Sequence, residues 1–317
     1  MKINHIYCGN AVQILKNFPD ESIDCCVTSP PYYGLRDYGI NNQIGMEESP
    51  QKYFNNLTET FSQVKRVLKS DATLWLNLGD SYAGSNQGVG NSKAFSKFQQ
   101  ANKGSLFANL NNHSLLNKIK GYKAKDMIGV PWTVALNLRD KVGFYLRQDI
   151  IWAKPNPMPE NVKDRCTKSH EYIFLLSKSR KYYFDSHAIR EKASEKSALR
   201  YNSKFNTGIK EISGSGRLNQ SSNTAGFKKF TGYRNKRDVW FVSTGGYRGA
   251  HFATFPEELI KPCILAGCRE NGIVLDPFFG SGTVGVVAKQ LNRNYIGIDI
   301  NEDYCNLAKK RIENGGI

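Results

Sequence analysis

The chain has 317 residues, of which 40% are hydrophobic and 23% charged, a globular balance that excludes a disordered or fibrous protein. No apolar run approaches the roughly 20 residues of a membrane-spanning helix, and Met1 to Asn10 lack the basic flank and apolar core of a secretory signal. Lys and Arg number 44 against 28 Asp and Glu, a net charge of +16, which points to a polyanionic partner.

In chain order, Ile3–Tyr7 reads as a strand, Ala11–Phe18 as a helix and Ser22–Thr28 as a short buried strand. Phe54, Leu57, Phe61, Val64, Val67 and Leu68 recur at helical spacing, and Thr73–Leu78 returns to strand. A stretch rich in Asn, Ser, Gln and Lys follows from Gly84 to about Gly121 and reads as a mobile loop. A helix is predicted from Asp126 to about Asp140, then strands near Tyr145–Trp152, Glu171–Leu176, Tyr182–Phe184 and Asp238–Ser243. Pro256–Arg269 is expected to be helical, kinked at Pro262. The closing unit is a strand Gly272–Leu275, a glycine turn, a helix Thr283–Leu291 and a strand Tyr295–Ile298. Asn301 then caps a final helix with Glu302 and Asp303 in its first turn and Lys309, Lys310 and Arg311 in its last. This alternation implies an α/β protein with a mostly parallel, doubly wound sheet.

The charge is concentrated. Gly84–Lys125 holds seven Lys and no acid, and Ser186–Trp240 holds twelve Lys or Arg against four acids. Together they carry 15 of the 16 excess positive charges, the pattern of a nucleic-acid-binding surface. The seven Cys include no CxxC pair. Neither a metal site nor a disulfide framework is expected, and a reducing, cytoplasmic setting is the default.

Gly280-Ser281-Gly282-Thr283-Val284-Gly285 matches GxGxxG between a strand and a helix, with Asp299 nineteen residues beyond Gly280 at the end of the next strand. Glycines let the backbone approach a ligand, and the distant acid can hold ribose hydroxyls. Asp276-Pro277-Phe278-Phe279 intervenes before the glycines. A carboxylate there repels a pyrophosphate but suits a cationic sulfonium amino acid. Only 32 residues follow Gly285, so the strands that complete the sheet are expected earlier in the chain, in a permuted order.

The strand ending at Thr28 runs directly into Ser29-Pro30-Pro31-Tyr32. Two prolines fix the backbone at a strand's carboxyl end, where open α/β sheets bind ligands. Pro31 has no N–H to compete for the Pro30 carbonyl, which stays available as an acceptor.

With these residues in view, the chain resembles the β group of S-adenosylmethionine-dependent DNA amino-methyltransferases, in which the catalytic tetrapeptide precedes the cofactor loop. Thr28–Tyr38 (TSPPYYGLRDY) is similar to the catalytic motif and Leu275–Thr283 (LDPFFGSGT) to the cofactor motif. His251–Pro256 (HFATFP) and Trp152–Tyr172 resemble the family's flanking segments; Cys8-Gly9-Asn10 departs from the Gly-Asp common in related enzymes. The resemblance implies a Rossmann-like methyltransferase fold with circularly permuted motif order and a small inserted target-recognition region. Residues 1–184 would form the catalytic half, with 84–125 a mobile basic loop. Residues 185–244 would read the target, and 245–317 would form the cofactor-binding half. It further implies S-adenosyl-L-methionine held by Cys8, Asn10, Thr28, Phe255, Pro256, Asp276, Pro277, Phe278, Phe279, Gly280, Ser281, Gly282, Thr283 and Asp299, with Asn10 on the adenine edge. Double-stranded DNA would meet Lys118, Lys120, Lys123 and Lys125 in the first basic stretch and Lys228, Lys229, Arg234, Lys236 and Arg237 in the second. A nucleoid-associated protein of a prokaryote or phage, paired in function with a restriction endonuclease, is the implied setting.

The chemistry implied for Ser29, Pro30, Pro31 and Tyr32 follows from acceptors. An exocyclic base amine is a poor nucleophile because its lone pair is delocalised into the ring. Hydrogen bonds from its protons to the Ser29 hydroxyl and the Pro30 carbonyl would localise that pair during attack, while Tyr32 would stack on a base turned out of the duplex. The resemblance associates Ser-Pro-Pro-Tyr with N4 of cytosine and Asp-Pro-Pro-Tyr with N6 of adenine; both amines need acceptors. Cys263, after Pro262, lies in a helical pattern and reads as core rather than as the nucleophile of a C5 enzyme. The alternative from another class is a basic DNA-binding module with a non-catalytic nucleoside site.

Overall fold

Strand β2 (Ile23–Thr28) is buried at all six positions, the mark of a strand covered on both faces. In this computed structural model, β2 is flanked in parallel by β3 (Leu68–Leu78) and β9 (Ile273–Asp276). Beyond β9 lie β10 (Asn294–Asp299) and then β1 (His5–Cys8), both parallel. Beyond β3 come β5 (His170–Ser177) and β4 (Tyr145–Ala153), paired antiparallel, and the short edge strand β8 (Val239–Phe241) parallel to β4. The eight-stranded order is β1-β10-β9-β2-β3-β5-β4-β8. The sheet is mostly parallel, and β5 is its reversed strand. The stretch from Lys154 to Ser169 that joins β4 to β5 contains no helix, whereas a parallel return is usually made through one. The permuted order is visible in β1, which comes first in the chain and pairs with β10.

The structure describes residues 1–35, 39–40, 42–83, 119, 121–194, 196, 232–244 and 255–315. They fall into one unit of Met1–Asp185 with Asp238–Ile317 and a second of Ser186–Arg237. Most of both basic stretches, with Lys118, Lys120, Lys228 and Lys229, and residues 251–254 lie outside the described residues.

One face of the sheet packs on α1 (Ala11–Lys16), α2 (Pro50–Val67) and α3 (Val130–Asn137). Cys26, Leu74 and Leu76 there join Leu57, Phe61 and Val64 of α2 in one apolar cluster. The opposite face carries α4 (Glu257–Gly267), where Gly267 allows contact with Cys25, Thr73 and Trp75; a Cβ there would lie 2.5 Å from the Trp75 indole nitrogen. Helices α5 (Thr283–Gln290) and α6 (Glu302–Glu313) complete the fold, and the Asn301 side chain caps α6 by accepting from the Asp303 and Tyr304 N–H groups.

Two expected elements differ. The helix predicted from Asp126 starts at Val130, because Gly129 adopts φ 77° and Pro131 sits in the first turn, while Met127 bridges to Tyr82. Its end widens into a π-turn over Leu138–Val142, closed by Gly143 at φ 80°. Tyr182–Phe184, read as a strand, joins no ladder: the Tyr183 N–H reaches the Asp71 carbonyl at 2.8 Å, and the segment runs on as an extended connector. Helix α4 passes through Pro262 from Glu257 to Gly267. Among the described residues, no helix is long and apolar enough to cross a membrane.

In the second unit, β6 (Glu191–Lys192) pairs antiparallel with β7 (Tyr233–Arg234). Glu191 there faces Arg234, Lys236 and Arg237 at 3.3, 3.6 and 3.5 Å. One carboxylate among three cations leaves the hairpin net positive.

Candidate active site

Neighbouring strands β2 and β9 hold Cys26 opposite Leu275, so the turns that follow both strands open at the same end of the sheet. They line one cleft of about 1290 Å³. Of the residues predicted from sequence, Asn10, Ser29, Pro30, Pro31, Tyr32, Phe255, Asp276, Pro277, Phe278, Phe279, Gly280, Ser281, Thr283 and Asp299 line it. Cys8, Thr28, Pro256 and Gly282 stand behind the lining. Cys8 ends β1 opposite Asp299, Thr28 is buried beneath Asp276, and Pro256 and Gly282 occupy the N-cap positions of α4 and α5. The Asn10 side chain accepts the Gln13 N–H and caps α1.

The glycine turn is shaped by backbone conformation and close packing. Gly280 and Gly282 have φ of 50° and 80°, where a side chain is strained. A Cβ on Gly282 would lie 2.8 Å from that of Ala308, whereas one on Gly280 would meet nothing within 4 Å. The Gly280 N–H donates to Asp299 Oδ2 at 2.7 Å and the Asn301 N–H to Oδ1 at 2.8 Å. Burial raises the Asp299 carboxyl above its usual range, and these two N–H bonds partly oppose the shift. Asp276 Oδ1 accepts from the Thr28 hydroxyl at 2.6 Å and the Phe278 N–H at 3.0 Å. Burial nevertheless pushes its carboxyl up to about 7. Arg311 of α6 reaches the turn from behind, donating to Thr283 Oγ1 at 2.8 Å, Ser281 Oγ at 3.2 Å and Glu257 at 2.8 Å.

The Ser-Pro-Pro-Tyr turn is held by side chains instead. The Tyr53 hydroxyl donates to the Pro31 carbonyl at 2.9 Å. Gly45, at φ 104°, comes so close that a Cβ there would lie 3.1 Å from the Tyr32 carbonyl. The Tyr32 hydroxyl donates to Glu171 Oε2 at 2.6 Å and lies 3.2 Å from Asn77 Oδ1. Burial, with the neighbouring Glu171, raises the Tyr32 hydroxyl well above its ordinary value. Glu171 is ion-paired through Oε1 to Lys154, whose ammonium stands 4.3 Å over the Trp152 ring. No hydrogen bond from the described residues reaches the Pro30 carbonyl.

Sequence reasoning missed Asn77, Lys154, Glu171 and Arg311. Lys154 and Glu171 fall inside the Trp152–Tyr172 segment that carries the resemblance. Asn77, a polar residue in the otherwise apolar run Leu74–Leu78, was a legible signal. Arg311 read only as a helix-end charge. Of the expected DNA contacts among the described residues, Lys123 is exposed, and Lys125 forms an exposed ion pair with Asp164 at 2.7 Å. Among the described residues, no group of three or more His, Cys, Asp or Glu could hold a metal ion.

The family model described as DNA methylase, that of the N6 and N4 methyltransferases, matches residues 23–310. The chain is 44% identical over 308 residues to the Type II methyltransferase M.Cfr9I of Citrobacter freundii, covering 97% of this chain and 87% of the relative. It is 43% identical over 307 residues to M.SmaI of Serratia marcescens, covering 97% and 90%. Among solved structures it is similar to the PvuII DNA methyltransferase (cytosine-N4-specific), with TM-score 0.61 at 19% identity, covering 98% of this chain and 92% of that one. It is also similar to M1.HpyAVI in complex with SAM, with TM-score 0.53 at 19% identity, covering 97% and 98%. A match across nearly the whole chain, on a fold whose two turns meet in one cleft, places this protein in the N6/N4 DNA methylase family alongside the Type II methyltransferases.

Proposed function

We propose that this chain transfers a methyl group from S-adenosyl-L-methionine to the exocyclic N4 amine of a cytosine turned out of duplex DNA. The observation that carries this reading is the opening of the Ser29-Pro30 acceptor pair into the same cleft as Asp276 and Gly280. Ser29 heads the turn where the adenine-directed resemblance has Asp, and the structural likeness to a cytosine-N4-specific enzyme supports the same target.

The residues present fit the cofactor. Asp276 and Asp299 are carboxylates drawn out of water into one cleft, and neither has a basic side-chain partner among the described residues. Such uncompensated acids suit a cationic ligand. The open space over Gly280 admits that ligand close to backbone. When bound, the cofactor supplies an electrophilic methyl on a sulfonium. Asp276 faces the positive charge, Asp299 takes the ribose hydroxyls on lone pairs left by the Gly280 and Asn301 N–H groups, and Tyr32 stacks on the base. Ser29 Oγ and the unengaged Pro30 carbonyl accept the two amine protons, which raises the lone pair's availability during in-line transfer. Ser29 carries no negative charge, so the released proton leaves after transfer, when the methylated amine is strongly acidic.

Residues 185–244 read the DNA sequence, and the basic stretch 84–125 engages the phosphate backbone, with Lys123 and Lys125 at its end. The setting is a cytoplasmic restriction-modification system with a companion endonuclease. Digestion of methylated DNA to nucleosides, followed by mass measurement, tests the target. N4-methylcytosine supports the proposal. N6-methyladenine alone would move the target and keep the mechanism, and 5-methylcytosine would overturn both. Cofactor binding without transfer to any DNA would leave only a binding module.

A further inference from the structure

We propose that Glu171 is the positioning residue for Tyr32, holding its ring in place as the platform for the displaced base before DNA arrives. The inference rests on the reading of Tyr32 as the stacking residue and adds what fixes it.

A tyrosine ring on a turn has two soft torsions, and the outer one is broad. Stacking on a flexible ring would cost the entropy of ordering it at the moment of capture. Here the hydroxyl end is pinned. It donates at 2.6 Å to Glu171 and lies 3.2 Å from Asn77 Oδ1, while the Asn77 amide donates to Glu171 Oε2 at 3.3 Å and to the Tyr172 carbonyl at 3.0 Å. Strands β3 and β5 supply these partners, and their register sets Asn77 opposite Ile173. The ring's anchor is therefore the sheet itself.

The direction of the bond is also determined. Lys154 pairs with the other Glu171 oxygen, and both side chains are largely buried, at 19% and 13% exposure. The Lys154 ammonium can only donate and takes Oε1, while the Tyr32 hydroxyl donates to Oε2. Lys154 is itself seated over Trp152. A chain of fixed groups thus runs from β4 through β5 to the catalytic turn.

Backbone shape completes the device. A Cβ on Gly79 would lie 2.6 Å from Cε2 of Tyr32, 3.2 Å from Cδ2 and 3.4 Å from the Glu171 carboxyl carbon. The chain has no side chain where both the ring and its acceptor need the space. Glu171 also lines the cleft, but its role here is exerted through Tyr32 rather than on the reacting atoms.

The test is a double-mutant cycle in single-turnover methylation with the full chain and cofactor. Glu171→Ala and Tyr32→Phe should each slow transfer, by about 10- to 100-fold and about 10-fold, with cofactor affinity unchanged. The double variant should be clearly less slow than the product of the two single losses, because the Tyr32–Glu171 bond is shared by both even though Asn77 and Lys154 also touch the pair. Glu171→Gln, whose amide oxygen still accepts from Tyr32, should recover to within about threefold of the wild type when combined with Lys154→Met, which removes the ammonium that the amide N–H groups would otherwise face. Multiplicative losses, a Glu171→Gln/Lys154→Met enzyme as slow as Glu171→Ala, or a Tyr32→Phe enzyme at the wild-type rate would overturn the proposal. Tyr32→Phe changes no packing volume and keeps the test readable if Glu171→Ala misfolds. Quenching of 2-aminopurine at the target position reads base stacking without turnover and should weaken in both single variants; unchanged quenching would refute the platform. A wild-type product other than N4-methylcytosine would correct the target base alone, since the cycle runs on whichever amine is methylated.

Discussion

The two turns that share the cleft differ in what chiefly holds them, although Asp299 and Arg311 also bond the glycine turn and Gly45 and Gly79 also crowd the other. The glycine turn is fixed by exclusion: Gly282 abuts Ala308, Gly285 lies against Ile312 and Phe279, and a Cβ on Gly297 would fall 2.4 Å from the Phe279 ring. The Ser-Pro-Pro-Tyr turn is fixed by attachment, through hydrogen bonds from Tyr53, to Glu171 and beneath it from Thr28 to Asp276. A pocket for a ligand of constant shape can be cast in packed backbone. A site that must receive a base from outside needs polar groups held in place with spare acceptors, and side-chain bonds supply that.

Substitutions that attack one means and spare the other sharpen this contrast. The largest effect is expected from Gly297→Ala, where the new methyl has no room against Phe279. Overpacking costs typically 1–3 kcal/mol, and an overlap this deep should exceed about 3 kcal/mol in denaturant unfolding, with cofactor binding lost alongside. Ser29→Ala should leave the fold and DNA affinity unchanged while slowing single-turnover transfer by about 10²–10³-fold, the cost of one positioned partner. Arg311→Met removes the buried donor behind Ser281 and Thr283. It should weaken cofactor affinity by about tenfold or more in calorimetry, since hydrogen bonds to charged groups contribute ~1.5–3 kcal/mol, without altering the methylated base.

Asp276 gives a pH signature to the attachment between the turns. Its folded-state value near 7 lies above the ~3.9 of an unfolded chain. The native state therefore binds the extra proton between those values, and the contribution of Asp276 to the stability of the cofactor-free protein is fully present below about 4 and is lost as pH rises through 7. With Asp276 placed at the sulfonium as proposed, cofactor binding needs the ionised form, and affinity should rise about tenfold from pH 6 to pH 8. Asp276→Asn should flatten both curves; a slope that persists in the variant would assign the titration elsewhere. Tyr53→Phe is the mildest change, removing one bond to the Pro31 carbonyl, and should cost about 1 kcal/mol of stability with a few-fold slower transfer.

How much of this was legible follows from chain distance. The proposed cofactor side is nearly contiguous: strand, glycines, helix, strand, Asp299 and the Asn301 cap fall within about 30 residues, and the strands, the helix and the cap form where their local signatures put them. The Ser-Pro-Pro-Tyr tetrapeptide was equally local. Its supports were not. Tyr32 and Glu171 are 139 positions apart, and Thr28 and Asp276 are 248 apart, so no periodicity or spacing could join them. Arg311 was read correctly as a basic residue in the last turn of a helix, yet burial between α6 and the glycine turn gives it another task. The helix expected from Asp126 forms but starts at Val130 for a local reason, because Gly129 in the left-handed region resets the chain before it.

The pairing of β1 with β10 has a consequence in time. Tyr295 donates its N–H to the Asn4 side chain across 291 positions, and β1 lies on the outer side of β10 at the edge of the sheet. At synthesis rates of about 5–20 residues per second, a nascent β1 waits roughly 15–60 seconds for its partner to leave the ribosome. Strands β2 and β3 can meet early, but β2 also waits for β9 on its other side. Through that interval an apolar strand edge is open to misplaced pairing, and the glycine turn does not yet exist. Methylation competence therefore waits for β9, the glycine turn and β10, and a chain stalled before them presents open strand edges while it lacks that turn.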